Sequence, residues 1–208
     1  MSHCTKFDFQ YTDAECIRRT FSKLKLNIEN VRVRTDGNLK WRVDEYPDFR
    51  SYVPARSALG AKKDGFNIFM EDMGKYYELS VEKHDMDSVE RQYATALSEQ
   101  FRKTYLHEVA EVFVSNMTAR GTNCMLDESK DGLAVRFGTM YEKSIFIKFE
   151  NGRVVEEVHG VKGENCASLT EALENMLSSE DVDLNTEWTE EYYEDPDNGL
   201  NIYNMEQF

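Results

Sequence analysis

The chain has 208 residues and a formal net charge of −14. Leucine, isoleucine, valine and phenylalanine make up 47 of them, more than the level of about one fifth below which chains tend to stay disordered, so we expect most of the chain to fold. No apolar run approaches the roughly 18 residues of a membrane span, and the first residues lack a secretory signal, so we expect a cytoplasmic protein that does not enter a membrane.

Charge is distributed unevenly along the chain. Residues 179–208 contain ten acidic residues and no lysine or arginine, whereas residues 18–63 contain twelve basic residues and five acidic ones. The four cysteines are far apart and form no Cys-x-x-Cys pair, so we expect reduced thiols rather than a zinc knuckle or a disulfide framework. Neither a metal site nor a cofactor is predicted.

The first part of the chain predicts a strand, a helix and a hairpin. Apolar and polar residues alternate over residues 6–11 with the two-residue period of a half-buried strand. Thr12 and Glu15 form a capping-box pattern, which predicts a helix over residues 13–25. Two alternating runs around a turn then predict a hairpin over residues 31–43.

The register of this hairpin determines where its basic residues lie. A two-residue loop at Asp36-Gly37 would mix polar and apolar side chains on both faces, whereas a three-residue loop pairs Val31 with Val43 and Val33 with Trp41. We prefer the second register, which collects four cations on the other face. These cations are Arg32, Arg34, Lys40 and Arg42. Because like charges repel across strands, this basic face favours an anion or an acidic segment as its partner.

The middle of the chain predicts a second hairpin and a long helix. Residues 44–64, which contain proline and glycine, are interpreted as an irregular connection. A hairpin follows over residues 66–82, and Asp85 or Asp87 caps a helix that ends at Gly121. Further strands are predicted over residues 122–128, 133–137, 144–150 and 153–158.

Ser168 and Glu171 form another capping box, which begins the last helix. Together these elements predict an α+β fold, in which antiparallel hairpins pack with three to four helices in compact small modules followed by an acidic tail. We expect an N-terminal α/β module over residues 1–142, a small ββα module over residues 143–178 and an acidic aromatic tail over residues 179–208.

Motifs in both halves of the chain resemble those of known families. One set comprises the Met1-Ser2-His3 start, Gly74-Lys75-Tyr76-Tyr77-Glu78-Leu79, Gln92-Tyr93-Ala94 and the Asp131-Gly132 hairpin. This set resembles a conserved reading-frame family of cyanobacteria and red-algal plastids. The stretch from Phe149 through Gly160-Val161-Lys162-Gly163 and Cys166 resembles a short domain-of-unknown-function family with a Gly-Val-Lys-Gly-x-x-Cys signature.

The resemblance implies a fusion of the two families and suggests which proteins act together with this one. The two families resemble those encoded by neighbouring genes in operons that can also encode a MoxR-type AAA+ ATPase. The resemblance therefore implies that the protein works together with such an ATPase. Neither family brings an agreed catalytic residue. The resemblance therefore implies a fold and a set of partner proteins, but no reaction. It favours a protein that is not an enzyme.

A glycine-containing loop before the last helix is a candidate anion or ligand site. It carries His159, Lys162 and Cys166, where free backbone N–H groups and the helix dipole could attract an anion or lower the pKa of a thiol. Gly160 and Gly163 are equally needed if the chain merely turns sharply from strand to helix. We favour the structural interpretation.

Patterns of common enzymes are incomplete or missing. His107-Glu108-Val109-Ala110-Glu111 resembles a zinc-protease helix, but Glu111 stands where the second histidine is required. We interpret this segment as a solvated helix face. The sequence contains no P-loop, no dinucleotide-binding glycine pattern and no evident Ser-His-Asp arrangement.

The acidic C-terminal segment interleaves its charges with large apolar side chains. The partner-docking candidates among them are Trp188, Tyr192, Tyr193, Tyr203 and Phe208. The segment could dock on its own chain, dock on a partner protein, or remain a flexible acidic end. The first two alternatives are equally favoured.

Three hypotheses of function follow from these features. The leading one is a non-catalytic interaction or accessory protein that works with a larger assembly, such as one containing a MoxR-type AAA+ ATPase. The second is nucleic-acid binding through the basic face, with the acidic tail as a competing mimic. The third is an acidic phosphate mimic that inhibits a DNA-binding protein.

Overall fold

The computed structural model describes residues 3–36, 39–43, 45, 54–138, 140–162 and 165–193. They form three α-helices: α1 (Ala14–Lys23), α2 (Ser88–Ala119) and α3 (Asn165–Leu177). The strands are β1 (His3–Asp8), β2 (Glu29–Asp36), β3 (Leu39–Arg42), β4 (Arg56–Lys63), β5 (Phe66–Asp72), β6 (Tyr77–Glu82), β7 (Cys124–Glu128), β8 (Leu133–Phe137), β9 (Lys143–Glu150), β10 (Arg153–His159) and β11 (Asn185–Trp188). A 3-10 helix follows at Glu190–Tyr193. This confirms the predicted α+β class.

The chain divides into two compact units. Unit 1 comprises Met1–Gln10 and His107–Phe208, and unit 2 comprises Tyr11–Leu106, so α2 contributes to both. One sheet of unit 1 contains strands from both sides of residue 142. The predicted domain boundaries at residues 142 and 178 stay a prediction. None of the helices in the described ranges is long and apolar enough to cross a bilayer.

The sheet of unit 1 is antiparallel with the strand order β11-β1-β10-β9-β8-β7. Strand β1 lies between β10 and β11, and His3 pairs with Val158 on one side and Trp188 on the other. Side chains alternate between the two faces of a strand. Phe7, Val154 and Val158 therefore share one face, and all three are buried.

Helix α3 is fastened to this sheet next to the end of β1. Its Leu169, Leu173 and Leu177 are fully buried at helical spacing. The backbone N–H of Gln10 donates to the carbonyl oxygen of Leu177 at 2.8 Å, and the N–H of Ser179 donates to Oε1 of Gln10 at 2.9 Å. These two bonds hold the C-terminal end of α3 beside the first strand.

The sheet of unit 2 is antiparallel with the order β3-β2-β4-β5-β6. Its two edge strands approach each other, since the backbone N–H of Lys40 on β3 donates to Oε2 of Glu82 on β6 at 2.6 Å. The sheet is therefore strongly curved. Its apolar residues include a buried cluster of Val31, Val33, Ala58 and Phe69.

Helix α1 begins at a network of hydrogen bonds inside unit 2. Asp13 is its N-cap, because Oδ1 of Asp13 accepts from the N–H of Cys16 at 2.6 Å. The prediction of Thr12 as the cap is therefore wrong. The N–H groups of Thr12 and Asp13 both donate to the hydroxyl of Tyr105, at 3.1 and 3.0 Å, and burial raises the pKa of Tyr105.

The predicted register of the first hairpin is also wrong. The structure pairs Val33 with Arg42 and Arg34 with Trp41, instead of Val33 with Trp41. Residues 37–38, which connect the strands, lie outside the described residues. In this register Arg32 and Arg34 share a face with Trp41, whereas Lys40 and Arg42 share the face of Val33.

Other sequence predictions differ in extent. The segment interpreted as an irregular connection contains strand β4, which pairs with β2 and β5. Helix α3 begins at Asn165, before the predicted Ser168 cap. The four strands predicted over residues 122–158 are confirmed as β7 to β10, and the second hairpin is confirmed as β5 and β6.

Replacement of Tyr105 by Phe tests the hydrogen bonds at the start of α1. The Tyr105→Phe variant leaves two partly buried backbone N–H groups without an acceptor, so we expect a loss of about 1–3 kcal/mol in the free energy of unfolding. Urea denaturation followed by circular dichroism measures this loss. The control is Tyr193→Phe, because Tyr193 is 78% exposed. This variant should change the free energy of unfolding by less than about 0.5 kcal/mol. Equal stability of both variants would contradict the assigned role of Tyr105.

Candidate functional site

The four cations of the predicted basic face are divided between two faces of the unit 2 sheet. Lys40 and Arg42 have acidic partners on other strands of the same sheet. Nζ of Lys40 lies 2.8 Å from Oε2 of Glu71, and Arg42 forms an ion pair with Glu29. This pairing is the physical reason for the observed register, because it places cations beside acids that are distant in sequence.

Glu71 is the centre of this charged network. Its side chain is 6% exposed and lies between Nζ of Lys40 and Nε of Arg56, the latter at 3.5 Å. Burial by itself lowers the pKa of Lys40, but its hydrogen bond to Glu71 and the negative charges of Glu71 and Glu78 outweigh this effect, so the net shift is upward. Lys40 therefore serves to balance a buried carboxylate.

The other face of the same sheet lines a pocket of about 440 Å³ beneath α1. Arg18, Asn30 and Arg32 contribute polar groups to it, together with Asp72 and Tyr77. The guanidinium group of Arg32 also donates to the carbonyl oxygen of Ala55. The pocket thus brings Arg32 and Arg18 together, but it does not include the other cations of the predicted set.

The predicted loop site at residues 159–166 is only partly described. Nε2 of His159 lies 3.7 Å from Oε2 of Glu157, and Val161 is fully buried. Gly163 and the side chain of Cys166 lie outside the described residues. Gly160 has a φ of +73°, and a Cβ atom there would lie 2.6 Å from the carbonyl oxygen of Glu142. A close approach of two backbone segments thus explains this glycine.

The acidic C-terminal segment contains strand β11. Strand β11 forms the edge of the unit 1 sheet, and its pairing with β1 is reinforced by a contact of 3.0 Å between the hydroxyls of Thr5 and Thr186. Residues 185–188 therefore dock on their own chain. Within the described part of the chain, no strand pairs with the outer side of β11.

Three of the predicted docking aromatics come together beside this edge. The ring centroids of Trp188 and Tyr192 are 4.1 Å apart, and those of Tyr192 and Tyr193 are 5.3 Å apart. Trp188 is 40% exposed and Tyr193 is 78% exposed. Tyr203 and Phe208 lie outside the described residues. We call Trp188, Tyr192 and Tyr193 the edge aromatic cluster.

A buried cluster of ionisable side chains lies in the same unit. His3 on β1, Glu156 on β10 and Glu174 on α3 each bring one ligand-type atom within 4.8 Å of the other two. His3 is 1% exposed and Glu156 is fully buried. Among the residues that the structure describes, Nδ1 of His3 and both carboxylate oxygens of Glu156 have no hydrogen-bond partner. The ring of His3 lies 5.1 Å from that of Trp188, so the cluster adjoins the edge aromatic cluster.

The environment of this cluster disfavours charge on each of its members. Burial raises the pKa of Glu156 well above its ordinary value, and the nearby charge of Glu174 adds to this shift. Burial also raises the pKa of Glu174 to about 7, against the opposing effect of the Thr170 hydroxyl. Burial lowers the pKa of His3 to about 4. In the part of the chain that the structure describes, no cation contributes to any of these pKa shifts.

Sequence reasoning missed this cluster, although one signal for it was present. Glu156 falls between Val154 and Val158 at the two-residue period of a strand, so alternation places it on the buried face with them. A carboxylate at such a position requires a partner. The spacing in sequence does not reveal that His3 and Glu174 lie beside Glu156, because only the pairing of β1 with β10 and the docking of α3 bring them there.

A second group of side chains of the types that can bind a metal ion lies on α2. His107, Glu108 and Glu111 meet the same distance criterion, and Nδ1 of His107 lies 3.7 Å from Oε1 of Glu111. The side chains of His107 and Glu111 are 30% and 43% exposed. Glu108 between them is buried, so the segment predicted as a solvated face exposes His107 and Glu111 only in part.

Comparison with known proteins finds one family. A model described as "Protein of unknown function (DUF2997)" matches residues 146–193, from within β9 to the end of the 3-10 helix. The match confirms a domain of unknown function in this part of the chain, whereas the fusion and the glycine-cysteine signature stay predictions. No curated protein matches the chain. No solved structure matches it either.

Substitution of Lys40 tests its assignment as a structural cation. The Lys40→Met variant leaves the carboxylate of Glu71 with a weaker set of partners, so we expect a loss of about 1–3 kcal/mol in the free energy of unfolding. Lys62→Met is the control, because the Lys62 side chain is 57% exposed and its ion pair contributes at most about 1 kcal/mol. Equal losses in chemical denaturation would contradict the assignment.

Substitution of Gly160 tests the structural interpretation of the loop. Both Gly160→Ala and the control Gly152→Ala place a side chain at positive φ, but a Cβ at Gly152 meets nothing within 4 Å. We expect Gly160→Ala to be less stable than Gly152→Ala by at least about 1 kcal/mol, since a Cβ cannot occupy a position 2.6 Å from a carbonyl oxygen without backbone movement. Thermal unfolding measures the difference, and its absence would reopen the loop as a ligand site.

Proposed function

We propose that this protein is a non-catalytic interaction or accessory protein that binds a partner at the β11 edge of unit 1. The observation that carries the proposal is the edge aromatic cluster beside a sheet edge without a neighbour in the described residues. An exposed strand edge offers backbone N–H and C=O groups to an additional strand. Aromatic side chains at such an edge supply much of the binding energy of protein interfaces.

The chemistry of the edge favours an extended, basic segment as the occupant. Residues 179–208 contain no lysine or arginine, and Glu187 and Glu190 are exposed near the aromatic rings. Basic residues on the incoming segment would complement these charges, while its apolar residues would pack on Trp188 and Tyr193. A MoxR-type AAA+ ATPase is the partner that the family resemblance suggests.

The hypothesis of nucleic-acid binding has less support from the geometry. It requires Arg32, Arg34, Lys40 and Arg42 on one surface, whereas Lys40 and Arg42 are paired with acids on the opposite face. The phosphate-mimic hypothesis rests on the acidic tail, of which residues 194–208 lie outside the described residues. Neither hypothesis is needed to explain the edge.

Site-specific photocrosslinking in the native host tests the proposal. The photoreactive amino acid p-benzoylphenylalanine replaces Tyr193, or, as a matched control, Met140, which is 83% exposed in the same unit. We expect a light-dependent adduct with one protein from position 193 and none from position 140. Mass spectrometry then identifies that protein, with the MoxR-type AAA+ ATPase as the expected result.

Two outcomes would contradict the proposal. Adducts of equal yield from both positions would show that the edge has no selectivity. Adducts with only a second copy of this chain would assign the edge to self-association instead. An adduct with a different protein would uphold the interaction function and exclude the ATPase as the occupant of this edge.

A further inference from the structure

We propose that His3, Glu156 and Glu174 form a binding site for one divalent transition-metal ion, with Zn²⁺ as its representative. This inference goes beyond the proposed function and does not depend on it. It rests on the identity of the three side chains, on their convergence, and on the lack of a hydrogen-bond partner, among the described residues, for Nδ1 of His3 and for the carboxylate oxygens of Glu156.

The donor set fits this class of ion. One imidazole nitrogen and two carboxylates bind borderline ions such as Zn²⁺, Mn²⁺ and Fe²⁺, whereas an all-oxygen set would favour Ca²⁺ or Mg²⁺. Ligand atoms about 2.1 Å from an ion lie up to about 4.2 Å apart. The donor atoms of the cluster already lie within 4.8 Å of one another, so small side-chain rotations complete the coordination.

Electrostatics also favours a cation at this cluster. An ionised carboxylate that is fully buried costs several kcal/mol unless a cation is beside it. Elsewhere in the molecule the buried carboxylate of Glu71 has Lys40 as its partner at 2.8 Å. Within the described ranges, neither carboxylate oxygen of Glu156 has a hydrogen-bond partner. A divalent cation would neutralise both carboxylates of the cluster and would bind one ring nitrogen of His3.

The fold is suited to hold such an ion rigidly. His3 and Glu156 are diagonal neighbours on paired strands, since Thr5 pairs with Glu156 and His3 pairs with Val158. Helix α3, which carries Glu174, is fixed to the end of β1 by the hydrogen bonds of Gln10. Glu174 is only half-buried, so it offers the ion a path from solvent.

Metal titration of the full-length protein tests the inference. The purified chain is stripped with EDTA, dialysed and titrated with Zn²⁺ by isothermal titration calorimetry, and the bound metal is counted by mass spectrometry. We expect one Zn²⁺ per chain and a Kd raised at least about 100-fold in Glu156→Gln and Glu174→Gln. Glu157→Gln, on the same strand but the opposite face, is the matched control and should bind as the unmodified protein does.

Stability measurements separate loss of the site from loss of the fold. Without metal, Glu156→Gln should melt at the same temperature as the unmodified protein or higher, because it removes an unpaired buried acid. Added Zn²⁺ should raise the melting temperature of the unmodified protein and of Glu157→Gln, but not of Glu156→Gln. A shift of equal size in all three proteins would overturn the inference.

X-ray absorption of the Zn²⁺-loaded unmodified protein provides a test that needs no variant. We expect nitrogen and oxygen ligands, including one imidazole, at about 2.0–2.2 Å. Sulfur ligation, the absence of stoichiometric binding, or loss of binding in Glu111→Gln with retention in Glu156→Gln would each overturn the proposal. The last result would move the site to the group on α2.

Discussion

Strand β1 has a hydrogen-bonded neighbour on each side, and the alignment of these two pairings decides which side chains meet in unit 1. Thr5 stands opposite Glu156 on β10 and opposite Thr186 on β11. Because facing residues share a side of the sheet, His3 is brought beside both Glu156 and Trp188. A shift of one residue in β1 would point His3 to the other face and separate it from both.

Each of the two units contains a buried carboxylate, but the groups beside it differ in charge between the units. In unit 2 the buried carboxylate of Glu71 lies between Lys40 and Arg56, so the charges of the curved sheet satisfy one another. In unit 1 the buried carboxylate of Glu156 has a second acid, Glu174, as its neighbour. Among the described residues, the first carboxylate has cations beside it, whereas no cation contributes to the pKa shift of the second.

Local patterns predicted most elements of this fold, and the differences have physical causes. Alternation and turn residues identified β5 to β10, because each of these signals lies within one hairpin. Strand β4 was missed because proline and glycine stand in its neighbourhood, and β11 because its acids are typical of a solvated tail. The first hairpin was assigned the register that best segregates its own residues, whereas acids of distant strands, such as Glu71, decide the observed one.

The candidate sites follow the same division between local and distant information. The edge aromatics were visible as a local set, so Trp188, Tyr192 and Tyr193 were named from the sequence. The buried acids and His3 were not, because more than 150 residues separate His3 from Glu156. Strand alternation marks Glu156 as unusual, but only strand pairing reveals what faces it.

The composition of unit 1 also has a consequence for biosynthesis. Its sheet needs β1 from the first ten residues together with β10 and β11 from the last sixty, whereas unit 2 is one continuous segment. A ribosome releases unit 2 entire while β1 still has neither of its neighbours. Strand β1 therefore stays unpaired until β10 and β11 have been synthesised, which happens only after unit 2 is complete.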